Sequence, residues 1–104
     1  MTNNIAKLYE LAGFEKAMGV GSPVALYPFT PEKQLELIKW LCKNTYRNYF
    51  KIIFDFQNKT WYMECDCYPT PNKRNFEESL AFLTISIWND LTDKQKEEIK
   101  EILE

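Results

Sequence analysis

Two pairs of carboxylates are the first residues whose types and spacing could do chemistry. Glu64 and Asp66 lie two apart in a segment of strand-like alternation, so their side chains share one face. Glu77 and Glu78 stand together where a helix begins. Paired acids can move protons or hold magnesium. Both pairs also have plainer uses: acids in a first helical turn favour the helix dipole, and Glu64 with Asp66 reads as the solvent face of a hairpin. The chain of 104 residues has no histidine, which removes the usual general base near neutral pH and every Ser-His or Cys-His nucleophile arrangement. There is no Gly-x-Ser-x-Gly and no zincin motif. The stretch Gly19-Val20-Gly21-Ser22 follows no strand pattern and is followed by no lysine, unlike a phosphate-binding loop. Cys65 and Cys67 lack the turn-like Cys-x2-4-Cys spacing of structural zinc, and Cys42 is remote in sequence. The expectation is core-packed reduced thiols, with no catalytic residue, metal or cofactor.

Binding chemistry has a better candidate. On the second helical segment, Lys39, Lys43 and Arg47 recur every four residues as a basic ridge, with Trp40 beyond it. Cations of this kind hold phosphates, and Trp40 or a hairpin aromatic such as Tyr62 could stack on a base. Residues 39–59 carry five basic side chains and one acid, a local net of +4, whereas residues 77–104 carry eight acids and three bases, a local net of −5. The competing reading makes the ridge a solvated helix face, with Trp40 packed under the acidic C-terminal helices. Duplex nucleic acid is not an expected partner, because a pI near 5.2 lacks the basic footprint such binding needs.

These residues must be positioned by a small set of elements. Thr2 can cap a first helix whose apolar positions are Ile5, Leu8, Tyr9 and Ala12, with Gly13 as its stop. A Gly/Pro-bearing loop follows, its ends pinned by Phe14 and Phe29. Thr30-Pro31 opens a second helix to about Thr45 or Arg47, with Leu35, Ile38, Leu41, Cys42 and Tyr46 on its apolar face. From Tyr49 to Tyr68 the period becomes two, with Gln57-Asn58-Lys59-Thr60 as the turn of a β-hairpin. Asn75 with Glu78, and Thr92 with Gln95, each form a capping-box pattern opening the third and fourth helices. The order is helix, loop, helix, antiparallel hairpin and two helices: a single α+β domain over residues 1–104. A two-stranded hairpin is marginal alone, so this one packs on helices or gains strands from a partner chain.

The third helix is apolar on two sides. Phe76, Leu80, Leu83 and Ile87 form one stripe, and Ala81, Phe82, Ile85 and Trp88 a second. Either the helix is sandwiched centrally, or the second stripe is an interface for an oligomer or another protein. No apolar run approaches the roughly 20 residues that span a bilayer, and the N-terminus lacks the pattern of a signal peptide. The expected setting is cytoplasmic, with no membrane partner.

Three segments resemble short proteins of no assigned activity encoded by phages and prophages of Gram-positive bacteria: Asn4–Gly13, Tyr27–Leu41, and Phe76–Ala81 continuing through Trp88–Thr92 to Ile99. The resemblance implies a mobile-element context and assigns no site residues. Within that context the expected function is non-enzymatic: counter-defence by binding and blocking a host defence protein. The alternatives are an oligomeric sponge for a nucleotide-type signal, using the basic and aromatic residues above, and a replication-module or regulatory protein.

Overall fold

A computed structural model of the chain describes residues 3–14, 27–44, 49–65, 68–69 and 73–104. Thr2, the Gly19–Pro23 loop, Tyr46, Arg47, Asp66 and Cys67 lie outside the described residues. The elements run α1 (Asn3–Leu11), α2 (Pro31–Asn44), β1 (Phe50–Asp55), β2 (Thr60–Cys65), β3 (Tyr68–Pro69), α3 (Phe76–Ile87), a 3-10 turn (Trp88–Asp90) and α4 (Asp93–Leu103). This is the expected α+β order.

The helix ends follow their local chemistry. At the end of α1, Gly13 takes a φ of 89°, a conformation open to glycine without a Cβ clash. The Gly13 N–H then donates to the Glu10 carbonyl at 3.0 Å and the Phe14 N–H to the Tyr9 carbonyl at 3.1 Å. The aromatic contact that seals such a turn is present, the Tyr9 and Phe14 rings meeting edge-on at 5.4 Å. Thr30 caps α2, its Oγ1 accepting from the Lys33 N–H at 3.3 Å. At α4 the capping box is complete: Thr92 Oγ1 accepts from the Gln95 N–H and Gln95 Oε1 from the Thr92 N–H. The box expected at α3 does not form. Asn75 makes no side-chain cap bond, and Glu78 Oε1 instead accepts from Asn4 Nδ2 of α1 at 3.3 Å.

Helix α3 is the central element, packed between α1 and the β2–β3 side of the sheet, with α2 touching both α3 and α4. That position explains its two apolar stripes. Leu80, Leu83 and Ile87 of the first are buried, and so are Ala81 and Trp88 of the second. Buried Thr84 turns its hydroxyl to the Leu80 carbonyl at 3.0 Å, so its polar group is satisfied within the helix. The core continues through Ile5, Leu8 and Tyr9 of α1, Leu37, Trp40 and Leu41 of α2, Met63 of β2, and Ile99 and Leu103 of α4. Phe14 and Phe29 are buried as expected, and Phe14 lies 4.1 Å from the Tyr27 ring.

The buried face of α2 departs from expectation. Leu37, Trp40 and Leu41 face the core at i, i+3, i+4 spacing, whereas Leu35 is 53% exposed and Cys42 is also exposed. Because α2 must meet both α3 and α4, its inward arc is rotated from the one centred on Ile38 and Cys42. Cys42 is therefore a surface thiol and not a small core hydrophobe.

The hairpin pairs β1 with β2 from Phe50 opposite Cys65 to Asp55 opposite Thr60. Its turn spans residues 56–59, one residue earlier than expected, and closes without glycine. Lys59 takes the positive φ of 56°, and Asp55 Oδ1 accepts from the backbone N–H groups of Gln57 and Asn58. On the far side of β2, Glu64 and Cys65 pair with Pro69 and Tyr68 of β3, and Trp61 exchanges both backbone hydrogen bonds with Lys73. The third strand thus comes from the same chain.

Candidate functional surface

Lys39 and Lys43 are exposed on α2 and Arg47 lies outside the described residues. Trp40 is only 9% exposed, and its Nε1 donates to Glu98 Oε2 on α4 at 2.7 Å. Its ring is therefore packed between helices and offers no open face for stacking. The same α2–α4 seam is fixed at both ends. Lys33 Nζ donates to the Leu103 carbonyl at 2.8 Å, and Gln95 Nε2 to the Asn44 carbonyl at 3.3 Å.

Tyr62 lies on another layer. Trp61 and Met63 point from β2 toward α3, with Trp61 edge-on to Phe76 at 5.1 Å and Met63 fully buried. Strand alternation then turns Tyr62 and Glu64 to the opposite face, away from the helices. Lys39 and Lys43 on α2 and Tyr62 on the outer face of the sheet thus belong to different elements.

The second-stripe residues divide likewise. Ala81 is fully buried and Trp88 is 6% exposed, so both are core positions and present no interface. Phe82 and Ile85 are half-buried, and Phe82 lies under the Lys73 ammonium at 4.9 Å from the ring centre. Glu78 binds Asn4, Asp66 lies outside the described residues, and Glu64 belongs to a cluster that its spacing from Asp66 did not announce.

That cluster is the most developed polar arrangement on the described surface. Tyr49, just before β1, donates its hydroxyl to Glu64 Oε2 at 2.5 Å, and Tyr62 donates to Glu64 Oε1 at 2.6 Å. Lys51, directly opposite Glu64 in the hairpin register, brings Nζ to 4.0 Å from Oε2 and 4.9 Å from the centre of the Tyr49 ring. The Tyr49 and Tyr62 hydroxyls, followed by the Lys51 charge, hold the Glu64 carboxyl below its ordinary pKa. In return the bond to Glu64 raises the Tyr62 pKa. A carboxylate held ionised with both oxygens occupied is a poor proton acceptor. What the arrangement provides is two tyrosine hydroxyls bonded to one carboxylate, beside exposed Ile53. The legible signals were Tyr62 two residues from Glu64, and Lys51 across from Glu64 once the turn length is known.

Among the described residues no group of three or more His, Cys, Asp or Glu side chains could hold a metal ion. No helix among them is long and apolar enough to cross a membrane. No family model matches the chain, and no solved structure matches it. Over 91 residues it is 34% identical to the AimR transcriptional regulator of Bacillus phage phi3T. The alignment covers 86% of this chain and 21% of that protein, so the chain spans about a fifth of the relative's length.

Proposed function

We propose that this chain is a phage-encoded regulatory protein that acts by binding another protein, without catalysis. The observation that carries the reading is its 34% identity, across most of its length, to a phage transcriptional regulator. The surface chemistry agrees with binding. The hairpin offers tyrosines held by Glu64, and that glutamate is ionised and occupied rather than poised to move a proton. Counter-defence is a narrower version of the same idea, and neither the fold nor the relative favours it. The nucleotide-sponge version would use Lys39, Trp40, Lys43, Arg47 and Tyr62 in an oligomer, and against it Trp40 is only 9% exposed and bonded to Glu98.

The test is to express the chain in a host carrying the phage that encodes it and to measure phage transcripts. Wild type should shift early or lysogenic transcripts, and Tyr49→Ala with Tyr62→Ala should abolish the shift while far-UV circular dichroism stays unchanged. An unaltered transcript profile with wild-type protein rejects the regulatory reading. A shift that survives the double tyrosine variant rejects the hairpin face as its agent. The sponge version fails if nucleotides leave the melting temperature of the purified protein unchanged.

A further inference from the structure

Strand β1 reads Phe-Lys-Ile-Ile-Phe-Asp and pairs with β2 on one side only, being the outermost strand in the order β1-β2-β3. Its other edge carries no strand among the described residues, so no described strand takes up the alternate backbone N–H and C=O groups there. Apolar side chains are exposed on both its faces: Ile52 at 39% on the helix side and Ile53 at 46% on the outer side, with Phe56 in the turn at 80%. Edge strands usually carry features that discourage pairing, such as charges, proline or bulges. Here Lys51 and Asp55 are the only charges on the strand, and both lie on its outer face with Ile53.

We propose that β1 pairs antiparallel with β1 of a second copy about a two-fold axis through Ile53, joining two three-stranded sheets into one of six strands. Strand chemistry selects this register. An antiparallel two-fold pairing runs perpendicular to the sheet, so opposed residues must share a face and the axis must pass through one residue. Through Ile52, Lys51 would face Ile53 of the other copy. Through Phe54, Ile53 would face Asp55. Through Ile53, Lys51 faces Asp55 twice, Ile52 faces Phe54 twice, and exposed Phe56 comes opposite Phe50. Only this register sets each charge against its opposite and each apolar residue against another.

The two charges are already held in place. Asp55 accepts from Gln57, Asn58 and the Asn58 side chain, which lowers its pKa and keeps it ionised, and a carboxylate retains lone pairs for a further donor. Lys51 is held beside Glu64 and Tyr49. Such a dimer also places both Tyr49–Glu64–Tyr62 clusters on one face, although the inference stands without the regulatory reading.

The experiment is light scattering and sedimentation of the full chain from low to high micromolar concentration. The expected mass rises from the 12.4 kDa of one chain to twice that value. Ile53→Lys, which sets two like charges across the axis, should leave a folded monomer. Lys51→Asp should weaken the dimer by about tenfold or more, and combining it with Asp55→Lys should restore most of the affinity. Because Asp55 also closes the turn, circular dichroism checks each variant. Ile53→Cys gives an independent readout: opposed strand residues sit about 4.5–5.5 Å apart at Cα, a span disulfides bridge. Mild oxidation should therefore link the copies at position 53, identified by peptide mass. A chain monomeric throughout, a dimer indifferent to Ile53→Lys, or the lack of a link at position 53 overturns the proposal.

Discussion

The helical half and the hairpin use their apolar residues differently. In α1 and α3 the inward large side chains are sealed: Leu8, Tyr9, Leu80 and Leu83 show no exposed surface, while Leu11 at the end of α1 is 37% exposed. In β1, Ile52 and Ile53 are both substantially exposed, and the turn presents Phe56 almost bare. The geometry explains why. Helix α3 packs against β2 and β3, and with strands about 4.8 Å apart β1 lies outboard of the helix. Residues that do so little for the monomer's core are the ones available for contact with something else. The comparison predicts opposite responses to truncation. Leu80→Ala, which opens a cavity in the centre of the packing, should cost about 2–5 kcal/mol in a urea denaturation. Ile53→Ala, measured where the chain is monomeric, should stay within about 0.5 kcal/mol. Similar losses at both positions would erase the distinction.

The next largest effect sharpens the sealed side. Tyr9 is fully buried and its hydroxyl has no hydrogen-bond partner among the described residues, so desolvation pushes its pKa up to about 12. An unfolded tyrosine ionises near 10, so between pH 10 and 12 the folded state holds a proton that the unfolded state releases. Tyr9 therefore carries no ionisation cost below pH 10, and stability falls as pH rises from 10 toward 12, by the order of 2 kcal/mol. Tyr9→Phe should be nearly neutral at pH 7, or slightly stabilising, and should flatten alkaline denaturation relative to wild type. Parallel alkaline curves would mean the hydroxyl is hydrated.

Trp40→Phe should cost about 1–2 kcal/mol, from the lost bond to Glu98 and the smaller ring. Its nucleotide response should match wild type, since the indole is already occupied. The same residue shows what the sequence made legible. Capping chemistry, the hairpin period and the double stripe of the third helix are local patterns, and they placed the elements and the central helix correctly. The inward face of α2 is a tertiary matter: Leu37, Trp40 and Leu41 are chosen by the need to meet α3 and α4 at once. A wheel centred on Ile38 misses that rotation, whereas the reading that packed Trp40 under the acidic C-terminal helices had the second neighbour right. The Glu64 cluster was hidden for a similar reason. Tyr49 and Glu64 are fifteen residues apart and come together only through the register of the hairpin.

The smallest effect belongs to the exposed side and concerns pH at the other extreme. Glu64 and Asp55 both have lowered pKa values, through the tyrosine hydroxyls in one case and the Asn58 side chain in the other. A depressed carboxyl favours folding above its ordinary value, and that contribution disappears as pH falls through the folded one. Both groups face solvent, where water and salt weaken such pairings. Glu64→Gln should therefore barely alter the urea midpoint at pH 7 and should make its decline below pH 4.5 slightly shallower. The same substitution frees Tyr49 and Tyr62 from a fixed charge, so it should reduce partner binding far more than stability. A Glu64→Gln protein as unstable as Leu80→Ala would mean that the cluster is a structural strut, and the contrast between a sealed half and a presenting half would fail at its most exposed point.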